Sequence, residues 1–196
     1  MLIKTKIAPN EKELIEGCEK GIEKYCKLLF NTYYGVMLGI CRRYTPDAEE
    51  AKDILQEGFI KIFRYLKQYK QEGSFEGWMK RIMVNTAIDH YKKSIREHTV
   101  NYLNDEEIDR PENLDQDDND HFPVDPQFLL SLVLQLPVVY RMVFNLSIIE
   151  GYSHKKIGEM LGINESTSRS NLSKAKNKVR MMLKDFSHEK RSSYAV

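Results

Sequence analysis

The chain has 196 residues, enough for two small domains or one of medium size. Its formal net charge of +1 conceals a strong asymmetry: between residues 104 and 120 nine carboxylates stand against Arg110 alone, so that segment carries −8 and the remainder +9. The odd cysteine count (Cys18, Cys26, Cys41) and the lack of a CxxC pair exclude a disulfide framework and a zinc site. No apolar run is long enough for a signal peptide or a membrane span, so the sequence predicts a cytoplasmic protein with no membrane insertion.

Strand signals are nearly absent, and the expected fold is all-α: two small helical domains joined by a flexible acidic linker. Asn10 and Glu13 form an N-cap with a reciprocal acid for a short helix to about residue 18, which Gly21 ends. A second helix, rich in Leu, Tyr and Met, is expected over 22–44. Pro46 is expected to start a third, which runs to about Leu66. At about 100° per residue, Ala51, Ile54, Leu55, Phe59, Ile62, Phe63 and Leu66 share its core side. Asp53, Gln56, Glu57 and Ile60 gather opposite. One apolar anchor inside a polar rim suits a protein partner; the plainer reading is a solvated face with a stray isoleucine.

After a loop at 70–74 marked by Gly73, a fourth helix is expected over 75–94, extending to Arg96. Trp78, Arg81, Asn85, Asp89, Lys92 and Arg96 project from it within one narrow sector. An aromatic ring for stacking, an amide for a base edge and cations for the backbone are what single-stranded nucleic acid needs. The competing reading buries Trp78 in the core. The preceding KQEGS loop offers close backbone approach at Gly73 to an unstacked base. The three cysteines read as half-buried core residues in a reducing compartment.

The acidic strap is too polar to fold by itself. Beyond it, Pro126 opens the second lobe, Leu136–Pro137 separates two helices, and three or four helices end near Phe186 with a frayed tail from Ser187. Residues 150–178, EGYSHKKIGEMLGINESTSRSNLSKAKNK, read as helix, tight turn, helix. Ser153 caps the first helix, with Ile157, Met160 and Leu161 at helical spacing; Gly162 makes the turn, Ile163 packs and Asn164 caps the second. Leu172, Ala175, Val179 and Met182 form its seam. Ser166, Arg169, Ser170, Ser173 and Asn177 lie away from it, with Lys174, Lys178 and Arg180 further along. Small polar groups and an arginine near a helix start, with cations behind, suit a major-groove reader anchored on phosphates. An ordinary helical hairpin with a charged face is the alternative.

The five histidines are scattered without metal spacing, and no nucleophile–base pair or phosphate-cradling loop stands out, so neither an enzyme nor a bound cofactor or metal is expected. A stand-alone helix-turn-helix repressor or activator would explain the second lobe but not the Trp78–Arg96 stripe or the Asp53–Ile60 face. A single-strand RNA-binding protein is a third reading.

Taken together, these segments closely resemble the extracytoplasmic-function group of the sigma-70 family of transcription initiation factors. DAEEAKDILQEGFIKIF resembles the group's helix that docks on the RNA polymerase clamp; GSFEGWMKRIMVNTAIDHYKK resembles the part that melts and reads the −10 promoter element; LQLPVVYRMVFNLSIIEGYSHKKIGEMLGINESTSRSNLSKAK resembles the region that reads the −35 element. The resemblance implies a region 2 domain at 1–98, a linker at 99–125 and a region 4 domain at 126–196. It further implies that Asp53, Gln56 and Glu57 lie on the face that binds core polymerase, where the helix wheel adds Ile60, and that Asn85 captures a flipped −10 base, with Trp78, Arg81, Lys92 and Arg96 of the same stripe expected as the other −10 contacts. For the −35 element it implies Glu165, Ser166, Thr167, Arg169 and Ser173, to which the outward face of the same helix adds Ser170, Lys174 and Lys178. The implied partners are core RNA polymerase, at clamp and flap regions of its large subunits, promoter DNA and an anti-sigma factor. The strap matches the linker that in this family passes near the RNA path of the polymerase; a solubilising tether is the other reading. Two positions depart from the family pattern. Ser168 stands where many members carry valine, which is expected to loosen recognition-helix packing, and Asn171 where many carry arginine, which removes a phosphate contact.

Overall fold

The computed structural model describes residues 10–98 and 125–193, with side chains for 10–96 and 125–186. The acidic strap lies outside the described residues. Those described form an all-α structure without a strand among them: α1 (Glu11–Glu19), α2 (Glu23–Cys41), α3 (Ala48–Tyr65) with a 3-10 turn (Leu66–Gln68), α4 (Phe75–His98), α5 (Pro126–Leu134), α6 (Val138–Phe144) running into a π-helical turn (Asn145–Ile149), α7 (His154–Leu161) and α8 (Glu165–Ser193). They fall into two compact units, divided within α4 after Ala87.

In the first unit the caps set the helix starts. The Asn10 side chain accepts from the Glu13 amide at 2.8 Å. Asp47 accepts from the amides of Glu49 (2.7 Å) and Glu50 (3.1 Å), so α3 begins after Asp47 and Pro46 lies outside the helix it was expected to start. A carboxylate that satisfies two orphan amides at the positive end of the helix dipole outweighs the proline signal. Helix α2 ends at Cys41, before Tyr44, because Arg43 and Tyr44 turn back through bonds to the carbonyls of Ile40 (3.1 Å) and Cys41 (3.0 Å).

The core packs Leu29, Met37 and Ile40 of α2 with Ala51, Ile54, Leu55, Phe59 and Ile62 of α3 and Phe75, Met79, Met83 and Val84 of α4. Phe63, expected inside, is half-buried: it lines an open groove of about 250 Å³ with Cys26, Lys27, Phe30 and Asn31. Cys18 and Cys41 are buried and Cys26 half-buried. Burial pushes both buried thiols up to about 12, helped at Cys18 by the neighbouring Cys26, so both stay protonated and unreactive at neutral pH.

Helix α1 lies close on α2 because Gly17 has no side chain. A Cβ there would sit 2.3 Å from the Tyr25 ring and 2.8 Å from the Tyr25 Cβ, which cannot swing away. Gly17→Val should therefore force the two helices apart at a cost of about 1–3 kcal/mol. Thermal unfolding followed by circular dichroism should show a melting temperature lower by several degrees; an unchanged melt would mean that α1 contributes little to the unit.

In the second unit the Asp125 side chain accepts from the Gln127 amide at 3.2 Å, leaving Pro126 in the first turn of α5, where its missing N–H costs nothing. Pro137 separates α5 from α6. The buried Arg141 guanidinium donates to the Leu134 carbonyl at 2.7 Å, closing the end of α5. Helix α8 continues to Ser193 rather than ending near Phe186. Phe186 packs against Phe128 of α5 with ring centroids 4.4 Å apart and planes tilted by 38°, and neither glycine nor proline follows to stop the helix.

Candidate nucleic-acid interface

The helix-turn-helix in the second unit is built from its caps. The Ser153 Oγ accepts from the Lys156 amide at 3.3 Å and starts α7. Gly162, at φ +74°, takes the left-handed conformation that ends it, donating to the Gly158 carbonyl at 2.8 Å. The Asn164 carbonyl accepts the first bond of α8 from Ser168, 3.0 Å. Ile157 and Leu161 of α7 are buried, as are Leu172, Ala175 and Val179 of α8; Met182 is half-buried.

The outer side of α8 presents Glu165, Ser166, Thr167, Arg169, Ser170 and Ser173 to solvent, with Lys174, Lys178 and Asn171 half-buried. Arg169 is ion-paired with Glu165 one turn earlier, which holds the guanidinium over the first turn of the helix. Ser168 corrects an expectation. It does not leave a loosened seam: it is fully buried, and its Oγ lies 2.9 Å from the His154 Nδ1 of α7. The serine hydroxyl is thus partnered by a ring of the neighbouring helix.

On α4 the expected stripe faces outward. Arg81, Asn85, Asp89 and Arg96 are exposed, and Trp78 and Lys92 half-buried. The core position belongs to Phe75, which is fully buried. Trp78 stacks on it at 5.6 Å with 19° between planes, and Tyr69 flanks the indole at 5.4 Å. The indole is thus braced by two aromatic rings while part of it stays open to solvent. Tyr69 also ties down the loop before α4, donating from its hydroxyl to the Gly73 carbonyl at 2.9 Å. The Ser74 Oγ accepts from the Gly77 amide at 3.1 Å and caps the helix. Gln71 sits at φ +59°, a conformation uncommon outside glycine, two residues before Gly73 at φ +85°. Backbone strain of this kind concentrates at ligand clamps. No sequence motif marks Tyr69, and Gln71 is marked only as part of the KQEGS loop; the aromatic spacing Tyr69, Phe75, Trp78 is the available signal.

On α3, Asp53, Gln56 and Ile60 are exposed and Glu57 half-buried, paired with Lys61 at 2.8 Å. Ile60 is 57% exposed, the largest value among the exposed large hydrophobic residues described.

Residues 29–97 match the family description Sigma-70 region 2, and residues 129–179 match Sigma-70, region 4. The two matches together take in most of the chain and fall in the family's order. The chain belongs to the sigma-70 family, in its extracytoplasmic-function group. It is 27% identical over 190 residues to the ECF RNA polymerase sigma-E factor of Escherichia coli (strain K12), covering 89% of this chain and 96% of that protein. It is 36% identical over 80 residues to the RNA polymerase sigma-H factor of Pseudomonas aeruginosa, covering 41% of this chain and 42% of that protein, so the chain spans under half the length of that relative. Among solved structures it is similar to the sigma factor RpoE of Bartonella quintana, in complex with the anti-sigma factor NepR, with TM-score 0.48, 18% identity, and 81% of this chain and 96% of that chain covered. It is also similar to CnrH in complex with the cytosolic domain of CnrY, with TM-score 0.46, 16% identity, and 89% and 97% covered. As a sigma factor the chain serves promoter-specific initiation of transcription. Among the described residues no helix is long and apolar enough to cross a membrane.

Proposed function

We propose that this sigma factor docks on core RNA polymerase through the outward face of α3, opens and reads the −10 element with α4 and the loop before it, and reads the −35 element with α8. The functional division is then 1–98, 99–125 and 126–196. It works in the cytoplasm, where an anti-sigma factor holds it in reserve. The observation that carries this reading is the braced, half-open Trp78 on the same outward stripe as Arg81 and Asn85. Stacking, amide and cationic groups in one row fit bases already out of the duplex. A repressor that reads closed DNA with α8 has no use for them.

The roles within α8 separate by experiment. Arg169 stands in the first turns, where a recognition helix meets base edges; Lys174 stands further along, where side chains meet phosphates. Arg169→Ala should relax preference at a −35 position by about 1–3 kcal/mol. Lys174→Ala should weaken all sequences alike and reduce the salt slope by about one counterion. Binding of the reconstituted holoenzyme to −35 variant duplexes across a salt series measures both. The opposite assignment of effects would mean that α8 docks in another register.

A further inference from the structure

Polar contacts hold α7 to the start of α8 at two places. One is the turn, where the Gly162 and Ile163 amides both donate to the Gly158 carbonyl, at 2.8 and 3.1 Å. The other is the pair formed by His154, the first residue of α7, and Ser168 in the first turn of α8. Their Nδ1 and Oγ lie 2.9 Å apart, one donating to the other according to the ring tautomer. Ser168 is fully buried although its neighbours Ser166, Thr167, Arg169 and Ser170 are all exposed. It extends the seam of Leu172, Ala175 and Val179, so its hydroxyl sits where the rest of the seam is apolar. A buried hydroxyl is costly without a partner, and here the partner is supplied by the other helix. Apolar contacts tolerate small sliding and rotation; a hydrogen bond keeps narrow limits of distance and angle. The segment so pinned is the inner side of the turn whose outer side carries Ser166, Arg169 and Ser170.

We propose that His154 is a positioning residue for promoter reading: through Ser168 it fixes the rotation and depth of the first turn of α8, and so determines which base edges Arg169 and its neighbours reach. This rests on the reading of α8 as the −35 recognition helix. The bond makes the serine at 168 a matched half of a polar pair, whose other half lies outside the recognition helix.

The test uses the full chain with core RNA polymerase and a promoter-length duplex library randomised separately at the −35 and −10 segments, with bound molecules sequenced. His154→Leu removes both ring nitrogens, whereas His154→Asn keeps a polar atom near the place of Nδ1. His154→Leu should lower −35 preference about fivefold or more, on the scale of one lost base contact, while −10 preference from the same selection stays unchanged. His154→Asn should return −35 preference to within about twofold of the parent. Ser168→Ala, which removes a single oxygen, should match His154→Leu, and the double variant should be no worse than either; this arm carries the test if His154→Leu does not fold. Unaltered −35 preference in Ser168→Ala and His154→Leu, parallel loss at −35 and −10, or failure of His154→Asn to restore preference each overturns the positioning role alone. A parent chain without −35 preference overturns the reading of α8 as well.

Discussion

Replacing Gln56 and Glu57 together with alanine is expected to weaken binding to core RNA polymerase about thirty-fold while helix content stays constant. Both side chains stand on the outward face of α3 beside Ile60, which is 57% exposed. An apolar anchor ringed by hydrogen-bonding groups is the composition of an interface centre, where truncation costs ~2 kcal/mol or more. Glu57 pairs with Lys61 at i,i+4, an arrangement worth about 0.3–0.5 kcal/mol on a helix surface. The opposite side of α3, with Ala51, Ile54, Leu55, Phe59 and Ile62 buried, keeps the helix in place. Equilibrium binding of labelled chain to purified core polymerase gives the magnitude. Parental affinity in the double variant would remove this face from the polymerase interface.

Asn85→Ala is expected to spare polymerase binding and to reduce open-complex formation, with loss of preference at one −10 position. Asn85 is exposed on α4 beside Arg81, about two turns beyond the braced Trp78. A bidentate amide–base contact is worth about 1–3 kcal/mol of discrimination, equivalent to a loss between roughly fivefold and more than a hundredfold. The fold is not at stake, because Met83, Val84, Thr86 and Ala87 carry the buried side of that turn. Permanganate footprinting of the melted segment, with templates substituted at successive −10 positions, reads both effects. Normal melting with unaltered base preference would move base capture elsewhere on α4 or into its preceding loop.

Much of this was legible in the sequence because helical periodicity separates faces without knowledge of the fold. Ile60 sits about half a turn from the core seam of α3, and the structure leaves it exposed. The Trp78–Arg96 stripe emerged for the same reason, since residues at i, i+3 and i+4 share a face. Periodicity does not say what packs on each face, and the differences come from there. Phe63 has the phase of a core residue but meets an open groove beside Phe30. By sequence Trp78 fits either core or reader; its bracing depends on Tyr69, whose place beside the indole is fixed by a bond to Gly73 across the loop. Proline signals a helix start, yet Asp47 satisfies two amides and takes the cap from Pro46. The His154–Ser168 pair was the least legible. A serine reads as an outward residue by polarity, and the histidine that justifies its burial stands 14 positions away on another helix.

The central claim is that one chain joins core polymerase and opens promoters, reading single-stranded bases with α4 and duplex with α8. Run-off transcription with purified core polymerase, on genomic fragments from the source organism, tests it most directly. Discrete transcripts that depend on adding this chain and start at fixed points are expected, reduced by Asn85→Ala and by the double variant Gln56→Ala, Glu57→Ala. Tight binding of the chain alone to duplex operators, with no transcript gained from core polymerase, would contradict it and return the helix-turn-helix repressor as the reading.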